Sequence, residues 1–258
     1  MRALSRRELL VAGAAAAIVA ACGDDGGAEA VPSTTAGPTP SSAAPPTSAV
    51  AGGGGSNPST GLTAADFDGL GTCTLLPEQT AGPFPLDEQF VRRDITEGRP
   101  GHPLRLGLRV VDADCAPVPG AAVEIWHTDA TGDYSAFADG GGGKDEAEGT
   151  TFLRGTQVAG DDGIVEFTSI YPGWYPGRAV HVHLRVHQED EIILTSQVYF
   201  DEAYTEDVLT TDEYAEFGPP NTTWATDGIA GDPPADGTAL SLSAEGSGTL
   251  ARLNLGVA

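Results

Sequence analysis

Apolar and polar residues alternate from Leu104 onward. Leu104, Leu106, Leu108 and Val110 occupy every second position, with Arg105, Gly107 and Arg109 between them. That period of two marks a strand with one face buried. Similar runs cover Ala121–Thr128, Ile164–Ile170, Val180–Val186 and Ile192–Phe200, and Thr238–Ala244 and Thr249–Val257 close the chain. Clusters of Gly, Pro and Asp separate them, as turns do. Helical periodicity is weak; Thr63–Asp68 and Ala203–Phe217 are the best helix candidates, and both are short. The pattern predicts an all-β chain, and a two-layer β-sandwich with long loops is the arrangement that buries one face of every strand.

The strand at Val180–Val186 has an unusual second face. Val180, Val182, Leu184 and Val186 point one way, and His181, His183, Arg185 and His187 point the other. Imidazoles two apart on a strand project in the same direction and can hold one metal ion. His187 stands four residues past His183, too far along a strand for the same ion. Tyr134 follows a strand on a tight glycine turn, Thr128–Ser135, and Tyr171 and Tyr175 lie in the turn Ser169–Arg178 just before the histidines. Two phenolates and two imidazoles form a hard, anionic set that suits ferric iron better than zinc. A zinc hydrolase built on His181 and His183 would need a third, acidic ligand, and none is spaced for it. A non-catalytic sandwich that binds carbohydrate or protein would have no use for this constellation. The Gly140–Gly143 run reads as a flexible surface loop, because no strand-to-helix context makes it a phosphate cradle.

In order along the chain, Cys73–Pro83 (CTLLPEQTAGP), Asp94–Gly98, Ile125–His127, Gly132–Ser135, Phe152–Gly155, the YPGWY turn, HVH and Thr195–Phe200 (TSQVYF) resemble the intradiol ring-cleavage dioxygenases, and most nearly their exported, single-domain branch. The resemblance covers most of the chain after residue 72. It implies a β-sandwich that binds Fe(3+) and a catechol-type substrate, takes up O2, and opens the ring between the two hydroxyls to a muconate-type diacid. It assigns Tyr134, Tyr175, His181 and His183 as iron ligands. The family spacing of Ile, one variable residue, Pro, two more residues and the ligand tyrosine falls on Ile170–Tyr175, so Tyr171 takes the variable position as a packing or wall residue. Tyr175 is also the phenolate implied to give way to substrate. Arg178 matches an arginine that stabilises negative charge developing on the substrate ring, and Gln197 matches a glutamine that polarises the site. His127 is expected to pack or to support the site without ligating, and His102, before a proline, to be solvated.

Two departures concern the pocket. Only Pro176 and Gly177 separate Tyr175 from Arg178, where intracellular relatives carry a longer loop, and Pro85 follows Gly82–Pro83–Phe84 where many relatives carry tyrosine. Both point to a more open pocket. The chain has no long N-terminal helical segment of the kind through which the catechol-cleaving branch dimerises, so that mode does not carry over.

The first sixty residues are of another kind. Residues 1–21 combine Ser5-Arg6-Arg7 with an apolar run too short to span a bilayer, the form of a twin-arginine signal peptide. Val19-Ala20-Ala21-Cys22 resembles a lipoprotein box, so Cys22 is expected to carry lipid on the outer face of the cell membrane; the alternative is an ordinary signal peptide that happens to end in cysteine. Residues 22–61 are Gly, Ala, Ser, Thr and Pro with almost no large apolar side chain, a composition that predicts a disordered tether. The catalytic domain is then 62–258. Cys73 and Cys115 remain as an even pair in an oxidising compartment, expected to form a disulfide, with two free buried thiols as the alternative. The formal charge is −24 for 258 residues. Loss of residues 1–21 would leave 10 basic against 36 acidic residues, −26, with Lys144 the sole lysine. Such a surface excludes nucleic acid as a partner.

Overall fold

Strands form where the apolar alternation lies, and they assemble into two sheets. The computed structural model describes residues 61–71, 73–137, 147–189 and 191–258. The expected signal peptide, Cys22, all of the tether but Gly61, the Gly140–Gly143 run and Lys144 lie outside the described residues.

Among the described residues there are eight strands, β1 (Pro103–Val111), β2 (Ala122–Trp126), β3 (Arg154–Val158), β4 (Ile164–Ile170), β5 (His181–Gln188), β6 (Glu191–Tyr199), β7 (Ser241–Glu245) and β8 (Gly248–Gly256), and one α-helix, α1 (Glu202–Val208). One sheet has the order β4-β1-β8-β7 and the other β3-β2-β5-β6. In the first, β1 runs antiparallel to β4, with Leu106 opposite Phe167, and parallel to β8, with Leu108 opposite Leu253. In the second, β5 is central: Leu184 faces Ile125 of β2 and Ser196 of β6. The all-β sandwich expected from the alternation is the fold. Leu104, Leu106, Leu108, Val110, Val165 and Phe167 from one sheet share a buried cluster with Val123, Ile125, Val182, Leu184, Val186 and Val198 from the other. Burial of each such side chain contributes about 1.5–3 kcal/mol.

The differences from expectation are local. β3 (RGTQV) has no apolar alternation, yet it pairs with β2 from Ala122–Val158 to Trp126–Arg154, and Gly155 lies flat against Ile95 and Arg92. The candidate helix at 203–217 stops at Val208. Asp201 caps its start by accepting the Tyr204 N–H (2.9 Å), but the Thr210 and Thr211 hydroxyls turn back onto the carbonyls of Asp207 and Val208 (2.7 and 2.8 Å), which competes with continuing the helix. Only a 3-10 turn at Ala215–Phe217 follows. Thr63–Asp68 likewise shortens to a 3-10 turn over Ala64–Phe67. β7 begins later than the alternation because Thr238–Leu240 pairs with Tyr199 of the other sheet. Cys73 and Cys115 are joined by a disulfide, Cα–Cα 5.3 Å, tying the segment before β1 to the turn after it. No described helix is long and apolar enough to cross a membrane.

Candidate metal centre

The outer face of the second sheet is covered by loops, and there the chemistry-bearing side chains meet. Along β5, Val182, Leu184 and Val186 point into the core, so His181 and His183 point outward; they are nonetheless only 3% and 1% exposed. The register sets His183 between Trp126 and Gln197 and His181 beside Tyr199. The Trp126 indole lies flat on the His183 ring, centroids 5.0 Å apart and 2° from parallel. From above, the Pro77–Gly82 segment closes the face: Gly82 has φ 69°, and a side chain there would crowd the His183 ring.

Two turns bring the tyrosines in. Asp129 organises the first, its Oδ1 accepting the N–H groups of Thr131 (2.9 Å) and Asp133 (3.2 Å). Gly132 passes so close to the Trp174 carbonyl, at φ 86°, that only glycine fits. The Gly173 N–H donates to the Asp129 carbonyl (2.9 Å) and Thr128 Oγ1 to the Gly173 carbonyl (2.7 Å). The turn bearing Tyr134 is thereby fastened to the turn bearing Tyr175. Arg154 secures the far side, donating to Ser135 Oγ (2.8 Å), the Ser135 carbonyl (2.9 Å) and the Phe84 carbonyl (2.8 Å), while the Phe84 ring stacks on Tyr134 at 4.8 Å.

Four donor atoms converge as a result. His181 Nε2 is 3.0 Å from His183 Nε2, 3.2 Å from Tyr134 Oη and 3.4 Å from Tyr175 Oη. Ligands on one metal with bonds of about 2 Å stand roughly 2.8–3.3 Å apart, so the spacing fits an ion among them. The His181 Nδ1–H donates to the Ala179 carbonyl at 2.6 Å, leaving Nε2 with its lone pair toward the cluster. Burial, reinforced by the Arg178 charge, lowers His181 to about 3, and burial with the neighbouring His181 holds His183 well below its ordinary value. Both imidazoles are therefore neutral. Burial raises Tyr134 and Tyr175 above the ordinary phenol value, Tyr134 the more strongly, so only a strongly charged cation would draw off these protons. Among the described residues no three His, Cys, Asp or Glu side chains converge; two phenols complete the donor set instead, which suits a hard trivalent ion.

Arg178 and Gln197 sit beside the donors. Arg178 Nη1 lies 3.3 Å from His181 Nε2, and Nη2 donates to Gln197 Oε1. Gln197 Nε2 donates to the Thr80 carbonyl at 2.8 Å and Tyr199 Oη to Gln197 Oε1 at 3.2 Å. The structure thus brings Tyr134, Tyr175, His181, His183, Arg178 and Gln197 together. Tyr171 points away, its hydroxyl 2.8 Å from Thr205 Oγ1 and its ring against Phe200. His127 is buried outside the cluster, bonded to Ser169 Oγ (2.7 Å) and the Thr128 carbonyl (2.8 Å). His187 pairs with Glu124 at 3.3 Å. His102 is not merely solvated: Nε2 meets Thr249 Oγ1 at 2.9 Å. Sequence reasoning missed Asp227, whose Oδ2 accepts from Arg178 Nε at 3.0 Å, and the stacking role of Trp126.

Comparison with known proteins points the same way. A family model described as Dioxygenase matches residues 77–216. A solved intradiol ring-cleavage dioxygenase from Tetranychus urticae is 32% identical, with a TM-score of 0.64, over 72% of this chain and 94% of that one. A chlorocatechol 1,2-dioxygenase from Rhodococcus opacus is 28% identical over 40% of this chain and 45% of its own length. A catechol 1,2-dioxygenase from Pseudomonas sp. (strain EST1001) is 33% identical over 38% of this chain and 32% of its own length. The chain spans less than half the length of these two curated relatives.

Proposed function

Because the chain belongs to the intradiol ring-cleavage dioxygenase family, we propose that it binds one ferric ion on Tyr134, Tyr175, His181 and His183 and uses O2 to cleave catechol-type diols between their hydroxyls, giving muconate-type diacids. The observation that carries this reading is the gathering of the His183 imidazole and the Tyr134 and Tyr175 hydroxyls within 3.4 Å of His181 Nε2. When bound, Fe(3+) supplies the charge that ionises the phenols and a diol, and the electron-accepting centre that oxygen chemistry on the ring requires.

The protein's own residues then have distinct tasks. Tyr134 is wholly buried and clamped through Ser135 by Arg154, so it is the fixed ligand. Tyr175 is half-buried beside the exposed Pro176 and Gly177, so it has room to withdraw when a diol enters. The Arg178 guanidinium, held on two sides, faces the space next to His181 and would stabilise negative charge on the substrate ring. Gln197 joins that arginine to the Thr80 carbonyl and keeps its orientation. Residues 1–22 support export and a lipid anchor at Cys22, which would place the domain outside the cell on the membrane face.

The test is metal analysis, an absorption spectrum and product identification on the purified protein. One iron per chain, a red-to-purple phenolate-to-iron band, and a muconate-type product carrying two atoms from labelled O2 are expected. A colourless zinc protein, or a yellow semialdehyde from cleavage outside the diol, refutes the reading.

A further inference from the structure

The segment after α1 packs behind the short turn that carries Tyr175 and Arg178. The Gly218 carbonyl accepts the Trp174 indole N–H at 2.9 Å, and Thr222 Oγ1 accepts the Gly177 N–H at 3.0 Å. Asp227 reaches furthest in, and its side chain is fully buried. Its Oδ2 accepts from Arg178 Nε (3.0 Å) and the Ala179 N–H (2.7 Å), and its Oδ1 from the N–H groups of Ile229 (2.8 Å) and Ala230 (3.2 Å). Burial alone would favour the neutral acid, but the Ala179 and Ile229 N–H groups and the Arg178 charge outweigh it and hold this carboxyl below its ordinary value.

These contacts reach two parts of the site. With Nε fixed by Asp227 and Nη2 fixed by Gln197, the planar guanidinium has one orientation, and it leaves Nη1 at the cluster. The Ala179 N–H on the carboxylate belongs to the residue whose carbonyl orients His181 Nδ1 at 2.6 Å. A buried ion pair costs the desolvation of two charges and is a poor stabilising device in itself; its return here is geometry. The turn it supports has only Pro176 and Gly177 between the tyrosine and the arginine, too few residues to brace itself.

We infer that Asp227 is a positioning residue of the site: from beyond the matched residues 77–216 it fixes the Arg178 guanidinium and, through Ala179, the His181 ring. The inference rests on the ring-cleavage reading. Asp227→Ala strips four donors of their acceptor and risks unfolding, so the working variant is Asp227→Asn, which keeps the volume. Four holoproteins are compared, wild type, D227N, R178A and the double variant, for iron content, visible spectrum, Tm, and kcat and KM on catechol. D227N should retain iron and colour and lose about tenfold in kcat per bound iron, with KM within about twofold. In the R178A background the same change should lower the residual kcat less than about twofold, because the arginine it positions is gone and only the path through Ala179 remains; its effect on Tm should differ between the backgrounds as well, since the two side chains are in contact. An unaltered kcat in D227N, or an equal loss with and without Arg178, overturns the inference alone. A wild-type protein that opens no catechol removes the reading of the site, and the inference with it.

Discussion

The disulfide joins Cys73 and Cys115, 42 positions apart, and the loss on removing it can be worked from that separation. In the chain-entropy description a loop of this size restrains the unfolded chain by about 4 kcal/mol at 25 °C. For a domain of roughly 150–250 residues each kcal/mol moves Tm by about 2–4 °C, so Cys73→Ser/Cys115→Ser should melt about 8–16 °C lower than the parent protein. The site should survive at room temperature. The segment that runs from Cys73 to the candidate metal centre is held independently, by Leu76 N–H on the Gly256 carbonyl (3.0 Å), Gln79 N–H on the Thr195 carbonyl (2.8 Å) and Ser196 Oγ on the Pro77 carbonyl (2.8 Å). Iron content and kcat of the double serine variant should therefore stay within about twofold of the parent, since the bond acts mainly on the unfolded chain. Calorimetry with and without reductant, and thiol alkylation of the native protein, make the assay. Two alkylatable thiols in unreduced protein would rule out the bond, and a Tm shift under about 2 °C would rule out its effect on the unfolded chain.

Three further outcomes are expected. Tyr134→Phe and His183→Ala each remove a fixed donor and should abolish stoichiometric ferric iron and the visible band; iron retained at full occupancy in either would refute the ligand set. Arg178→Ala should keep iron and colour but lose on the order of 10²-fold or more in turnover, the effect of one electrostatic donor, and normal turnover would remove Arg178 from the reaction. Burial lowers His127 to about 4, against roughly 6.5 in an unfolded chain. Between those values the unfolded state binds the proton that the folded state refuses, so this contribution is complete above about pH 6.5 and is lost as pH falls toward 4, on the order of 3 kcal/mol for the one group. His127→Gln should flatten that limb of a urea-unfolding pH profile, and an unchanged slope would contradict the assignment.

The strands of the sandwich were legible where one face of the strand meets the core and the other does not, because that asymmetry is written as alternation. β1 is the clearest case, with Leu104, Leu106, Leu108 and Val110 all buried. β3 was not legible. Arg154, Thr156 and Gln157 are buried polar residues whose environment comes from β2 and from the segment around Arg92 and Ile95, and nothing in five residues announces those partners. The helix at 203–217 was overextended for a related reason: its composition permits helix, and the hydroxyls of Thr210 and Thr211 end it.

His181 and His183 were legible as candidate donors because their spacing sets both on one strand face; Tyr134, and Tyr175 rather than Tyr171, were picked out by the family resemblance and not by residue type or spacing alone. What orients them was not legible, since it arrives from far away in the chain. Arg178 meets its carboxylate 49 residues later, and Gln197 finds the Thr80 carbonyl 117 residues earlier. A single carboxylate in an acidic chain of net charge −24 carries no local signal that separates it from the solvated ones. Burial separates it from the solvated ones, though Glu166, buried and paired with Arg93 and Arg105, shares that property. Asp227 is 6% exposed and accepts the Arg178 guanidinium, whereas Glu97, also paired with an arginine, lies at the surface. An ion pair in water contributes about 0–1 kcal/mol and tolerates many geometries. The same pair enclosed beside His181 tolerates far fewer, and Asp227 is the buried carboxylate whose arginine stands at the candidate donor cluster.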